Sequence, residues 1–195
     1  MTQRPWELPE VGKPADFAAN LRAQLPVLET ERLKLRVPVI SDYPHYAEIL
    51  MAERSEFLGG PFDRQASWYD FSASVAGWLL NGYGYFYVET HDGTPVGFVG
   101  VLRSYGDIEP ELGYFLVEDA EGNGYATEAA TAVRDWAKSH QVGSLCSYIY
   151  NRNTASANVA TKLGAIRDQD AEAVFKGTDC EGDYVFRHWQ KDKMN

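Results

Sequence analysis

EPELGYFLVEDAEGNGYATEAATAVRDWAKSH, residues 109–140, divides into a strand, a turn and a helix. From Glu109 to Val117, Leu112, Tyr114 and Leu116 alternate with Glu111, Gly113 and Phe115, the period of a strand. Glu118 to Gly124 carries acids and two glycines around Asn123, the composition of a turn. From Tyr125 to His140, Ala126, Ala129, Ala130, Val133, Trp136 and Ala137 recur at helical spacing. The first amides of a helix have no partner within it and sit at the positive end of its dipole. Glycine lets a ligand approach the backbone, so a phosphate fits such a turn without a basic side chain. A Gly-x-Gly by itself also fits a tight turn between two packed elements.

The longer run Glu121-Gly122-Asn123-Gly124-Tyr125-Ala126-Thr127-Glu128-Ala129 resembles the acyl-CoA loop of GNAT-type N-acetyltransferases. It is nearest the branch that includes ribosomal-protein N-terminal acetyltransferases. The resemblance implies that the backbone amides of Gly122, Asn123, Gly124, Tyr125 and Ala126 hold the CoA pyrophosphate. Two positions depart from the family. Glu121 stands where Gln or Arg is usual, and Asn123 where a basic residue is frequent. Carboxylates beside a pyrophosphate repel it unless they point away, so a weakened CoA affinity is one expectation.

A second run supports the likeness. Asn151 to Ala165 contains Ala155, Val159 and Leu163 four apart, which reads as a helix stopped by Gly164, with Asn151 or Asn153 as its cap. The family pattern of Asn, two residues, Ser or Ala, then a short helix ending in Leu-Gly-Phe is matched at Asn153, Ser156, Leu163 and Gly164, while Ala165 replaces the usual Phe. Thr30-Glu31-Arg32-Leu33 is also similar to the family's first strand.

Working outward, Met1 to Glu29 reads as an N-terminal extension and residues 30–195 as one domain. Arg32 to Val37 alternates as a strand. Ser41 can cap a helix through about Arg54. Asp63 can cap a second helix bearing Trp68, Phe71, Val75, Trp78 and Leu79. Tyr85 to Thr90 and Pro95 to Leu102 form a hairpin about His91-Asp92-Gly93-Thr94. Ser144 to Tyr150 is a further strand. Ala171 to Phe175 and Asp183 to Trp189 read as closing strands. The order β-α-α-β-β-β-α-β-α-β-β alternates too irregularly for a doubly wound parallel sheet. The α/β (α+β) GNAT fold has this order: a twisted, mixed, mostly antiparallel sheet of about seven strands flanked by helices.

The 195 residues suit a single domain, and 45% hydrophobic content argues for a folded chain. A net charge of −10 argues against nucleic acid and anionic membrane partners and suits a cationic amine. Two cysteines, Cys146 and Cys180, make no disulfide framework, and Cys146 reads as a buried core thiol. Four scattered histidines disfavour a metal site. No signal peptide or spanning run is evident, so a cytoplasmic monomer or homodimer is expected.

The chemistry implied by the resemblance is acetyl transfer from acetyl-CoA to an amine. A protonated amine must lose its proton before it attacks, so a base is required. Glu111, on the strand feeding the loop, is the candidate base; the competing reading is an ordinary strand acid. Backbone groups among Gly113, Phe115, Leu116 and Val117 are candidates for the thioester and pantetheine arm. Many relatives place a tyrosine acid where this chain has Ala160, so Ser156 becomes the candidate donor, against a simple capping role. Asn153 is expected to bond the cofactor arm. Phe57, Phe62, Trp68 and Tyr69 are candidates for the acceptor pocket. The acids Asp107, Glu109, Glu111, Glu118, Asp119 and Glu121 either steer a cation or sit on a solvated surface, the latter favoured for the last three. The acceptor is a protein N-terminal amine or a small-molecule amine. Two other readings stand beside this one. One is a non-catalytic acyl-CoA-binding or regulatory domain. The other is a nucleotide-binding turn, which the absence of a Gly-Lys-Ser/Thr or full Gly-x-Gly-x-x-Gly run opposes.

Overall fold

The computed structural model describes residues 3–178 and 180–190. The polar tail beyond 190, and Asp179 in the expected closing turn, lie outside them. Eight strands form one sheet in the order β1-β2-β3-β4-β5-β6-β8-β7. These are β1 (Val27–Glu29), β2 (Leu33–Arg36), β3 (Tyr85–Thr90), β4 (Pro95–Leu102), β5 (Glu111–Leu116), β6 (Leu145–Ile149), β7 (Ile166–Arg167) and β8 (Tyr184–Trp189). Every neighbouring pair is antiparallel except β5 and β6.

The helices are α1 (Lys13–Arg22), α2 (Tyr43–Leu50), α3 (Arg64–Leu80), α4 (Tyr125–Ser139) and α5 (Thr154–Lys162). Of these, α2 to α5 cover the sheet on two faces, as the strand period requires. One face packs Leu33, Leu35, Phe86, Val88, Val99, Val101 and Leu112 against Ala129, Ala130, Val133 and Trp136 of α4. The other packs Tyr87, Phe98 and Phe115 against Tyr43, Tyr46, Ile49 and Leu50 of α2 and Phe71 of α3. A smaller cluster joins Ala160 of α5 to Ile149 of β6. Phe98 and Tyr46 are fully buried, and each such side chain contributes roughly 1.5–3 kcal/mol of transfer free energy.

Three sequence expectations give way to local chemistry. Ser41 does not cap α2. It lies in a 3-10 turn, Ile40–Asp42, where Asp42 accepts the Val39 amide at 2.7 Å and pairs with Arg36. The helix ends at Leu50 rather than near Arg54, and a 3-10 segment, Glu53–Leu58, follows. Ala171 to Phe175 is likewise a 3-10 run and not a strand. Asp168 takes the Ala171 amide, while Glu172 binds Arg167 and the Val185 amide. Those side-chain bonds hold the segment off the sheet edge, and the two-residue β7 pairs with β8 instead. The remaining extra strand, β1, begins inside the stretch read as an extension.

Candidate active site

A cleft of about 860 Å³ opens where β5 and β6 part. The ladder explains which backbone groups face it. Val117 donates to the Val96 carbonyl at 3.0 Å, and Leu116 lies opposite Gly97. Alternation in an antiparallel pair therefore turns the polar backbone groups of Gly113, Phe115 and Val117 toward β4. The even-numbered residues face β6. The Pro110 carbonyl accepts from the Cys146 amide at 3.2 Å, the Leu112 carbonyl from Ser147 Oγ at 2.7 Å, and the Leu116 carbonyl from Arg54 Nη2 at 2.7 Å. Backbone pairing of β5 with β6 is confined to Glu111 and Cys146. The N–H groups of Tyr114 and Leu116 are left on the gap.

One end of the cleft is the turn before α4. Gly122 and Gly124 have φ of 76° and 80°, values that L side chains rarely adopt. Among the described residues nothing accepts the amides of Gly122, Asn123, Gly124, Tyr125 or Ala126. The turn is clamped from behind. Glu128 in the first turn of α4 accepts from Thr30 Oγ1 at 2.6 Å, from the Arg32 amide at 3.0 Å and from Arg32 Nε at 2.7 Å. Arg32 Nη1 also donates to the Asn123 carbonyl at 3.0 Å, and its guanidinium lies 4.6 Å from the Tyr125 ring centroid. Asn123 folds its own amide back onto the Ala120 and Glu121 carbonyls. A rigid row of unpaired amides at a helix start is suited to an anion.

The other end is acidic and aromatic. Glu111 reaches the cleft floor, where its Oε1 accepts from the Tyr148 amide at 3.4 Å. Burial, reinforced by the Asp107 charge, pushes its carboxyl up to about 7. Gly113 has no side chain because a Cβ there would sit 2.8 Å from Tyr85 Oη. Burial, then the charges of Glu111 and Asp70, hold Tyr85 well above its ordinary range. Asp70 also lines the cleft and accepts from Tyr46 Oη at 2.5 Å.

Between the two ends sits Ser156, at the start of α5. Its amide donates to Asn153 Oδ1 at 3.0 Å, so Asn153 is the cap of that helix. Its hydroxyl lies 3.0 Å from Tyr114 Oη, which is also 2.9 Å from the Ser156 carbonyl. Burial pushes Tyr114 up to about 12, so it keeps its proton.

A family model described as the acetyltransferase (GNAT) domain matches residues 32–166. The chain belongs to the GNAT acetyltransferase family. An acetyltransferase from Agrobacterium tumefaciens str. C58 is 36% identical with a TM-score of 0.78, over 85% of this chain and 95% of that one. The fold is shared with a ribosomal-protein-S5-alanine acetyltransferase from Vibrio fischeri (20% identity, TM-score 0.60, 87% and 99% covered). It is shared too with a spermidine N-acetyltransferase from Vibrio cholerae in complex with CoA and spermine (13%, 0.62, 81% and 94%). The comparison with curated proteins gives no match. Membership makes the chain an acetyl-CoA-dependent N-acetyltransferase.

Within this GNAT frame, the structure gathers Glu111, Phe115, Leu116, Gly122, Gly124, Tyr125, Ala126, Asn153 and Ser156 around one cleft. Asn123 and Val117 do not join them: the Asn123 side chain is turned back onto the Ala120 and Glu121 carbonyls, and the Val117 amide is spent on β4. Gly113 and Phe115 present no backbone group to the gap for the same reason. Of the acceptor-pocket candidates, Phe57 lines the cleft. Phe62 and Trp68 pack on the aromatic core, and Tyr69 is exposed. Glu109 is bound to Arg187 at 2.7 Å, and Glu118 and Asp119 are exposed. Glu121 is exposed, as expected, and at the edge of the cleft it pairs with Arg54. Ala160 is buried against Ile149. The sequence reading missed Arg54, Asp70, Tyr85 and Tyr114. In the sequence Tyr114 reads as one apolar position in an alternating strand.

Among the described residues, no group of three or more His, Cys, Asp or Glu side chains could hold a metal. No described helix is long and apolar enough to cross a membrane.

Proposed function

We propose that this transferase acetylates a primary amine, either a protein N-terminus or a small cationic amine, by direct attack with Glu111 as the base. The reading rests above all on the Glu111 carboxyl. It sits on the cleft floor with a proton affinity near neutrality, at the opposite end from the unpaired amides. A base balanced near the working pH is both ionised and able to take a proton.

Acetyl-CoA supplies the acetyl group as a thioester. The unpaired amides of residues 122–126 fit its diphosphate. The Tyr114 and Leu116 N–H groups fit its amide-bearing arm and the developing oxyanion. Asn153 caps α5 with its oxygen and keeps its NH2 for the same arm. Glu111 takes the proton of the incoming amine. Ser156 holds the proton for the departing sulfur, backed by Tyr114. Asp70, with Glu111, gives the acceptor end a negative field that favours a cation.

A panel of polyamines, aminoglycoside-type amines and short peptides with free N-termini, assayed for CoA release, tests the reading. Turnover with at least one cationic primary amine, lost in Glu111→Gln, is expected. CoA binding without turnover across the panel would sink it.

A further inference from the structure

The segment Glu53–Leu58 spans the cleft and touches both of its walls. On one side Arg54 donates to the Leu116 carbonyl at 2.7 Å and to the Glu121 carboxylate. On the other, the Phe57 ring lies 6.1 Å from that of Tyr150, and Arg152 sits 5.9 Å over Phe57 and 3.8 Å from Glu56. The segment can reach this far because α2 stops at Leu50. Ser55 Oγ and the Phe62 amide both return to the Leu50 carbonyl, at 2.8 and 2.9 Å.

Charge gives Arg54 a further meaning. Among the described residues lining the cleft, the cations are Arg54 and Lys162. The turn before α4 has unpaired amides but no cation of its own, and Glu121 at its head is an acid. A bare carboxylate there would oppose a diphosphate. Arg54 neutralises it. A guanidinium carries five N–H donors in a fixed fork, and the contacts to Leu116 and Glu121 engage two.

We propose that Arg54 delivers, from a separate element, the positive charge that the turn lacks. It binds the CoA diphosphate together with the amides of residues 122–126, and Glu121 is the post that aims it. The inference rests on the cofactor placement above and extends it to a residue outside the turn. Lysine at position 54 would be a poor substitute, because one ammonium cannot face both Glu121 and a phosphate in a planar fork.

Calorimetric titration of CoA into the wild type, R54Q, and R54Q combined with E121R tests it, after ligand-free melting shows all three folded. R54Q is expected to weaken CoA about tenfold and to flatten the salt dependence of binding. E121R, which moves the cation onto the turn itself, is expected to recover R54Q to within about threefold of wild type. Wild-type binding with R54Q unchanged would overturn the role of Arg54 alone. A loss in R54Q that E121R does not recover would make Arg54 a brace of the Glu53–Leu58 segment, and would also overturn it. No CoA binding by the wild type would instead remove the cofactor placement, and this inference with it.

Discussion

The Ser147 hydroxyl donates to the Leu112 carbonyl at 2.7 Å, at the point where β5 and β6 cease to pair through their backbones. A side chain thus replaces the ladder where the cleft begins. Both groups are buried, so Ser147→Ala leaves the carbonyl without a partner. Such a group costs about 1–3 kcal/mol. Urea unfolding of that variant is expected to show a loss of this size, and a stability within 0.5 kcal/mol of wild type would mean that the strands close up and re-pair.

Ser147 donates its one proton to Leu112, so it accepts from His188, whose Nε2 lies 3.2 Å away. This fixes the Nε2–H tautomer and leaves Nδ1 buried without a partner among the described residues. Burial first, then the charge of Arg134, lowers His188 to about 4. Between that value and its ordinary 6.5 the unfolded chain binds a proton that the folded chain refuses. Stability therefore rises with pH across this window and falls on acidification. His188→Gln keeps a donor for Ser147 and removes the titration. Measured against wild type at each pH, this variant is therefore expected to be more favourable at pH 4.5 than at pH 7, by on the order of 2 kcal/mol.

Glu111 acts with the opposite sign. Its carboxyl is raised from 4.5 to about 7, so the folded chain keeps a proton that the unfolded chain has lost. Its contribution is favourable at low pH and is lost as pH rises through that window. Glu111→Gln should therefore be more stable than wild type at pH 8, by on the order of 2 kcal/mol, and about equal to it at pH 4. Activity moves the other way. The base works only when ionised, so kcat/KM is expected to rise with pH and level off above about 7. Glu111→Gln should lose about a hundredfold or more in kcat, the scale of general-base catalysis. A flat pH profile in wild type would take Glu111 out of the chemistry.

The pieces legible in the sequence are those fixed by local rules. Gly122 and Gly124 mark positive φ, Asn153 caps α5 through a bond three residues away, and Asp63 caps α3 in the same manner. Glu111 is picked out by its place on the strand feeding the loop and by family likeness, beside the reading of an ordinary strand acid. The contributions that stayed hidden depend on partners far away in the chain. Arg54 meets Glu121 across 67 positions, and Tyr114 meets Ser156 across 42. The charge deficit of the turn is legible and points to a weakened CoA affinity; nothing local reveals that Arg54 pairs with Glu121. Ser41 failed as a cap because Asp42 bonds the Val39 amide and holds Arg36. The Thr30-Glu31-Arg32-Leu33 run was recognisable by likeness alone, and its physical role emerges only where Thr30 and Arg32 grip Glu128.

Tyr114 has one proton and two acceptors, the carbonyl and the hydroxyl of Ser156, at 2.9 and 3.0 Å. If it serves the carbonyl, the Ser156 proton turns back toward Tyr114. If it serves the hydroxyl, the Ser156 proton is free to point into the cleft. Ser156 can act as a donor only in the second arrangement, so the two residues form one unit. Ser156→Ala is expected to lower kcat roughly three- to tenfold with little change in the KM for acetyl-CoA. Tyr114→Phe should do the same, and the double variant should be no worse than either, because residues that act as a unit give strongly non-additive losses. Multiplying losses would assign Tyr114 a separate role. Wild-type turnover in Ser156→Ala would confine Ser156 to the first turn of α5 and leave the proton to solvent.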